Sequence, residues 1–216
     1  MGDGEEVDTP LTNLQKMIAP FILRRTKKQV AIDLPDKTET TLYLDMQDGQ
    51  RRIYDNYRKK YRDEIEENLN REESAKSKFL AIEALQKLRQ LCNSPVLMKE
   101  GNFVNESVKM DFIDEMMEEV APNHKILLFS SYTSMLKLVA QRIEKHDIGY
   151  TYLDGRMNQE QRQAAVKRFQ NDDMCRVFLI SLKAGGTGLN LTAADYVYIL
   201  DPWWNPAAEA QAIDRC

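Results

Sequence analysis

At 216 residues, 43% of them hydrophobic, the chain is long enough for one or two domains with a sizeable core. Its 30 lysines and arginines against 34 aspartates and glutamates give a formal net charge of -4, which argues against a generic basic nucleic-acid coat. No stretch is long and apolar enough to cross a membrane, the acidic Met1–Pro10 is unlike a signal peptide, and Cys92, Cys175 and Cys216 lack metal-ligand spacing, so a reducing intracellular compartment without a zinc site is expected.

In chain order, Leu11 to Val30 is mostly helix-like and ends near Leu34-Pro35, where proline marks a break. The basic run Arg24 to Lys28 within it has two readings, a solvated helix face or a local DNA contact. Thr38 to Met46 is extended in character and reads as a connector. From Gly49 onward Ile53, Tyr57, Tyr61 and Ile65 recur every four residues and predict a helix. Phe79, Ile82, Leu85, Leu88 and Leu91 predict a second, stopped by Pro95; Ile113, Met116, Met117 and Val120 predict a third, stopped by Pro122. Together they form a small helical bundle, with the apolar stripes read as its core.

After Asn123 the pattern changes. Ile126 to Phe129, Tyr150 to Leu153, Val177 to Ile180 and Tyr196 to Leu200 are short apolar runs rich in β-formers, with helical segments in the first two intervals. This alternation predicts an α/β fold with a parallel sheet. The helix from Thr133 would bury Leu136, Val139, Ala140 and Ile143 and close near Gly149. The next, from Asn158, has Gln161 in capping-box position and would bury Ala165, Val166 and Phe169.

Four polar segments, Ser130 to Thr133, Asp154 to Arg156, Ser181 to Asn190 and Asp201 to Asn205, follow these strands directly. In a parallel sheet the strand ends share one edge, where open α/β sheets bind ligands. Ser130, Ser131, Tyr132 and Thr133 also open a predicted helix, whose free N–H groups favour either an anion or a local cap.

The richest segment is Ile180-Ser-Leu-Lys-Ala-Gly-Gly-Thr-Gly-Leu-Asn-Leu-Thr-Ala-Ala-Asp195. Gly185, Gly186 and Gly188 lack the Cβ atoms that keep a phosphate from backbone N–H groups, while Ser181, Lys183, Thr187 and Asn190 add donors. Taken alone it reads equally as a flexible turn. Further on, Asn205 fits an N-cap and Pro206 the first helical position. Gln211 and Arg215, four apart, would project from one face of that helix, suited to ordering and neutralising a transferring phosphoryl group. Arg215 also has a plain reading, a helix-terminal arginine answering the macrodipole or Asp214. Trp203 and Trp204 read as packing residues behind that helix, with stacking on DNA as the second reading.

These motifs resemble the Swi/Snf-type ATP-dependent DNA translocases of helicase superfamily two. The matching segments are Pro20-Phe-Ile-Leu-Arg-Arg-Thr-Lys27, Leu34-Pro-Asp-Lys37, Leu88-Arg-Gln-Leu-Cys-Asn93, Lys125-Ile-Leu-Leu-Phe-Ser-Ser-Tyr-Thr-Ser-Met-Leu136, Tyr152-Leu-Asp-Gly-Arg156, the glycine loop, Asp201-Pro-Trp-Trp-Asn-Pro206 and Gln211-Ala-Ile-Asp-Arg215. The resemblance implies a RecA-like parallel sheet lobe at 124–216, truncated at its C-terminus. It implies a helical subdomain at 47–123, inserted or preceding, an extended connector at 34–46, and a helical brace from the first motor lobe at 1–33. Residues matching Ser130, Tyr132, Gly155, Arg156, Ser181, Lys183 and Thr187 lie near the DNA strand in that family. By the same resemblance Arg215 is an arginine finger, Gln211 aligns the nucleotide, and Gly186, Gly188 and Asn190 lie at the nucleotide or support the finger.

The sequence has no G-x-x-x-x-G-K-[ST] loop and no acidic magnesium-binding box. In the resembling family both belong to the first RecA-like lobe, so ATP and Mg2+ would be held mainly there, and this chain would not hydrolyse ATP alone. The expected partners are duplex DNA, that first lobe and nucleoprotein or polymerase targets, with no membrane. The setting would be intracellular, the bacterial cytoplasm or nucleoid as the first reading and a eukaryotic nucleus as the alternative. An RNA helicase lobe and a non-enzymatic nucleotide-binding or scaffold module are the alternatives.

Overall fold

The computed structural model describes residues 14, 17, 18, 38–71, 73–98, 100, 101, 103, 104, 106–185, 189–203, 205 and 210. The chain divides into two units, Met1–Leu42 and Tyr43–Cys216. In the first, Leu14, Met17 and Ile18 are helical, while residues 38–42 form no helix or strand.

The second unit begins with helices α1 (Asp48–Asn70) and α2 (Ser74–Asn93), followed by a 3-10 turn at Pro95–Leu97 and α3 (Val108–Glu119). Buried Gln50 ties them together: its Nε2 donates to the Leu91 carbonyl at 2.8 Å and its Oε1 accepts from Val108 N at 3.2 Å. Tyr61 of α1 donates its hydroxyl to Glu83 of α2 at 3.2 Å, and burial with the Glu83 charge pushes its pKa up to about 12. The expected core stripe of α2 is only half there. Leu91 is buried, but Phe79, Ile82 and Leu85 are 76%, 65% and 50% exposed. This corrects the reading of the whole stripe as core: helical spacing puts apolar residues on one face but does not supply the surface that covers it.

Then follow β1 (Ile126–Ser130), α4 (Thr133–Ile143), β2 (Gly149–Leu153), α5 (Gln159–Asn171), β3 (Cys175–Ser181), one helical turn at Leu182–Gly185 and β4 (Tyr196–Ile199). The strands form a parallel sheet in the order β2-β3-β1-β4, as the alternation predicted. The α4 connection crosses the sheet one way and the α5 connection returns, so right-handed crossovers place the two helices on opposite faces. Each apolar residue of β1 therefore meets packed side chains on its own face. Ile126 and Leu128 pack with Leu136, Val139, Ile143 and the α3 methionines, while Leu127 and Phe129 face Ala165, Phe169 and Leu191. This explains why β1 is buried along its whole length rather than alternately.

The capping box at Asn158 and Gln161 is present: Gln161 N donates to Asn158 Oδ1 at 2.9 Å and Asn158 N to Gln161 Oε1 at 3.0 Å. At the other end of α5, buried Lys125 donates Nζ to the carbonyls of Phe169 (2.6 Å) and Asp172 (3.0 Å), a cation on the negative helix terminus. The α4 end departs from expectation. The left-handed residue is Asp147 (φ 55°), beyond the 3-10 turn Glu144–His146, and Gly149 instead opens β2. A Cβ on Gly149 would lie 2.2 Å from the Met174 carbonyl oxygen, where the β2–β3 register slips. We expect Gly149→Ala to cost about 1–3 kcal/mol in thermal or urea melting, because the clashing atom is backbone and cannot swing away.

Candidate functional site

Because all four strands run the same way, the segments after them meet along one edge of the sheet. Asp201, one residue past Leu200, is 3% exposed there and organises the edge. Its carboxylate accepts from the Ser130 hydroxyl at 2.5 Å, from Ser131 N at 2.9 Å, and from the Ser131 hydroxyl. Tyr132 N in turn donates to Ser130 Oγ at 3.0 Å. Tyr132 is the N-cap of α4 and supplies no side-chain cap, so the anion beside this helix start is internal: the Asp201 carboxylate. Burial pushes the Asp201 carboxyl above the usual carboxylate range, opposed by the serine hydrogen bonds and the Lys109 charge. Ser130 itself is fully buried. Its contribution to the edge runs through Asp201, while Ser131 and Tyr132 keep partial exposure.

After β2, buried Asp154 shapes the next turn. Its Oδ1 accepts from Arg156 N at 2.9 Å, and Tyr152 lies within reach of Oδ2 at 3.5 Å. The Arg156 side chain is 76% exposed, with Nε 3.9 Å from Asp154 Oδ2. A Cβ built on Gly155 meets no atom within 4 Å, and no left-handed backbone requires glycine there. The fold alone gives no reason for a glycine at this exposed position.

After β3, Ser181 pairs with Ser130 in the sheet register and is buried. Arg162 of α5 donates to the Ala184 carbonyl at 2.9 Å, and Gln170 clamps the far side of the glycine segment, donating to Asn190 O (2.9 Å) and accepting from Ala193 N (3.1 Å). One helix thus holds both flanks of the loop. Asn190 and Lys183 are exposed. Lys183 Nζ stands 5.9 Å from the centroid of Trp203, whose ring packs on the α5-side core, while the helix it was expected to support lies largely outside the described residues. Gly186, Thr187, Gly188, Trp204, Gln211 and Arg215 lie outside the described residues.

Two cations on α2 and α3 reach this edge, and the sequence reading missed both. Lys109 of α3 donates to Asn93 Oδ1 at 2.7 Å and to the Leu200 carbonyl at 2.5 Å; burial lowers its pKa against the attraction of Asp201. Arg89 of α2 donates to the Pro202 carbonyl at 2.5 Å and lies over the rings of Tyr132 (5.5 Å) and Trp203 (5.9 Å). The only sequence signal was that Arg89 falls within a family motif. The edge therefore presents exposed Arg156 and Lys183 on a buried, internally bonded frame, a geometry suited to a polyanion held by position rather than by sequence.

The helicase conserved C-terminal domain matches residues 108–216, and the SNF2-related domain matches residues 5–97. The SWI2/SNF2 ATPase C-terminal domain of Sulfolobus solfataricus is 32% identical and superposes with a TM-score of 0.69 over 80% of this chain and 75% of that one. The chain belongs to the Snf2-type helicase family. The putative ATP-dependent helicase/translocase YwqA of Bacillus subtilis is 36% identical to this Snf2-type chain over 94% of its length. An uncharacterized ATP-dependent helicase of Mycoplasma pneumoniae is 34% identical over 98% of it. The chain spans only 22% and 20% of those two proteins. The Sulfolobus SWI2/SNF2 ATPase core solved in complex with dsDNA is 34% identical, with a TM-score of 0.69 over 94% of this chain and 43% of that one.

Proposed function

We propose that this chain is the second motor lobe of a Snf2-type, DNA-dependent ATPase that translocates on duplex DNA to remodel protein–DNA complexes. The observation that carries the reading is the convergence of four strand-end segments on one edge. That edge carries exposed Arg156 and Lys183, and next to Arg156 the missing Cβ of Gly155 leaves room for an approaching backbone. Contact to phosphate and sugar gives grip without sequence preference, which a translocase requires. The named dsDNA complex of a relative supports duplex over single-stranded RNA as the ligand.

On this reading residues 124–216 are the RecA-like lobe, 47–123 its helical subdomain, 34–46 a connector and 1–33 a brace to the first lobe. That first lobe, in the same parent chain, would hold ATP and Mg2+ for the most part. When bound, ATP would supply the phosphoryl group whose hydrolysis opens and closes the two lobes. Gly186, Gly188 and Asn190 would line the nucleotide side of the edge, Gln211 would orient the nucleotide, and Arg215 would place a guanidinium on the transferring phosphate. The chain alone would lack turnover, because the phosphate cradle and metal ligands reside in the other lobe.

Fluorescence anisotropy of a labelled duplex, titrated with this chain at several salt concentrations, tests the DNA side. Arg156→Ala is expected to lower the slope of log affinity against log salt by about 1, the signature of one lost phosphate contact. Gly155→Ala should leave the melting temperature unchanged, since its Cβ meets nothing within 4 Å, yet weaken duplex binding. Duplex affinity untouched by both substitutions contradicts the assignment of this edge to DNA.

A further inference from the structure

We propose that Arg89 is a positioning residue that couples the helical subdomain to the ligand-facing edge of the sheet by fixing the ring of Trp203. This deepens the reading above and rests on it where DNA is concerned. Arg89 sits on α2 near the end of that helix, yet its guanidinium serves the segment after β4. Nη2 donates to the Pro202 carbonyl at 2.5 Å, and the group lies over both Tyr132 (5.5 Å) and Trp203 (5.9 Å). Lys183 Nζ also stands 5.9 Å from the Trp203 ring. One indole is thus shared by a cation from the helical subdomain and a cation from the turn after β3.

The chemistry favours arginine specifically. A planar guanidinium stacks on aromatic faces and still presents a forked donor edge, whereas an ammonium offers a point charge that cannot do both at this separation. Tyr132 is the N-cap residue of α4 and Trp203 packs on the α5-side core. A displacement of α2 would therefore move the turn after β1 and residues 202–203 together. Lys109 reinforces the link from α3 through the Leu200 carbonyl, two residues before Pro202.

The test uses this chain with Trp204→Phe, which leaves Trp203 as the sole indole because the sequence holds two tryptophans. Acrylamide quenching of Trp203 and anisotropy of a labelled duplex are measured for that background and with Arg89→Lys and Arg89→Gln added. Both changes are expected to raise the quenching constant about twofold and weaken duplex binding about three- to tenfold, the effect of losing one stacked cation and one charge-assisted hydrogen bond. Arg89→Lys should rescue little, although it keeps the charge. Quenching unchanged in both variants overturns the proposal, as does raised quenching with unaltered duplex affinity. If the background chain binds no duplex, the DNA reading fails by itself; quenching in the two variants then decides whether Arg89 fixes Trp203.

Discussion

Asp201→Ala is expected to destabilise the chain by about 3 kcal/mol, a fall in melting temperature of roughly 6–12 °C for a chain of this length. The substitution removes the acceptor shared by Ser130 Oγ, Ser131 N and Ser131 Oγ and leaves the fully buried Ser130 hydroxyl without its carboxylate. It also strips Lys109 of the negative charge that offsets its burial. Asp201→Asn keeps the shape and one acceptor, and a milder loss follows. Wild type and Asp201→Asn also differ in pH dependence. Burial raises the Asp201 pKa in the folded chain above its ordinary value, so the folded state holds that proton more tightly than the unfolded state. Its stabilising contribution is complete below the ordinary aspartate pKa and is lost as pH rises through the folded value. The advantage of wild type over Asp201→Asn in chemical denaturation is therefore largest in acid and shrinks toward neutrality. An advantage that grows with pH would mean that the serine hydrogen bonds outweigh burial.

Arg215→Ala in the complete motor is expected to reduce DNA-stimulated ATP turnover by about three to five orders of magnitude while leaving DNA affinity within a few-fold. A guanidinium delivered across a cleft neutralises charge that develops only in the transition state, so kcat falls far more than KM rises. Arg215→Lys should recover little, because a point charge does not reproduce the planar fork. An effect of less than tenfold would return Arg215 to the plain role of a helix-terminal cation beside Asp214.

The sheet and its helices were legible because each carries a local signal: β-rich apolar runs, the Asn158–Gln161 box, and the prolines that end α2 and α3. The placement of the polar segments followed from topology, since parallel strands must end on one side. What the sequence did not disclose depends on pairs far apart in the chain. Asp201 stands in a motif, but that it gathers Ser130 and Ser131 across 70 residues and more is a tertiary fact. The 113-residue step from Arg89 to Pro202 is another. Phe79, Ile82 and Leu85 show the reverse failure: the stripe predicts a face, while its exposure depends on what lies opposite. At Gly149 a capping role was expected from proximity to a helix end, but Asp147 takes the left-handed position, and the glycine is needed where β2 passes the Met174 carbonyl.

The frame of the edge is thus internal, built from Asp201, Asp154 and the clamps of Arg162 and Gln170, and it leaves Arg156, Lys183 and Asn190 outward. The measurement that bears most directly on the motor reading is ATP turnover by the full-length parent, with and without duplex DNA, beside the isolated 216-residue chain. The account predicts turnover that rises sharply with duplex in the parent and none in the chain alone. Turnover indifferent to DNA, or magnesium-dependent hydrolysis by the isolated chain, would contradict it.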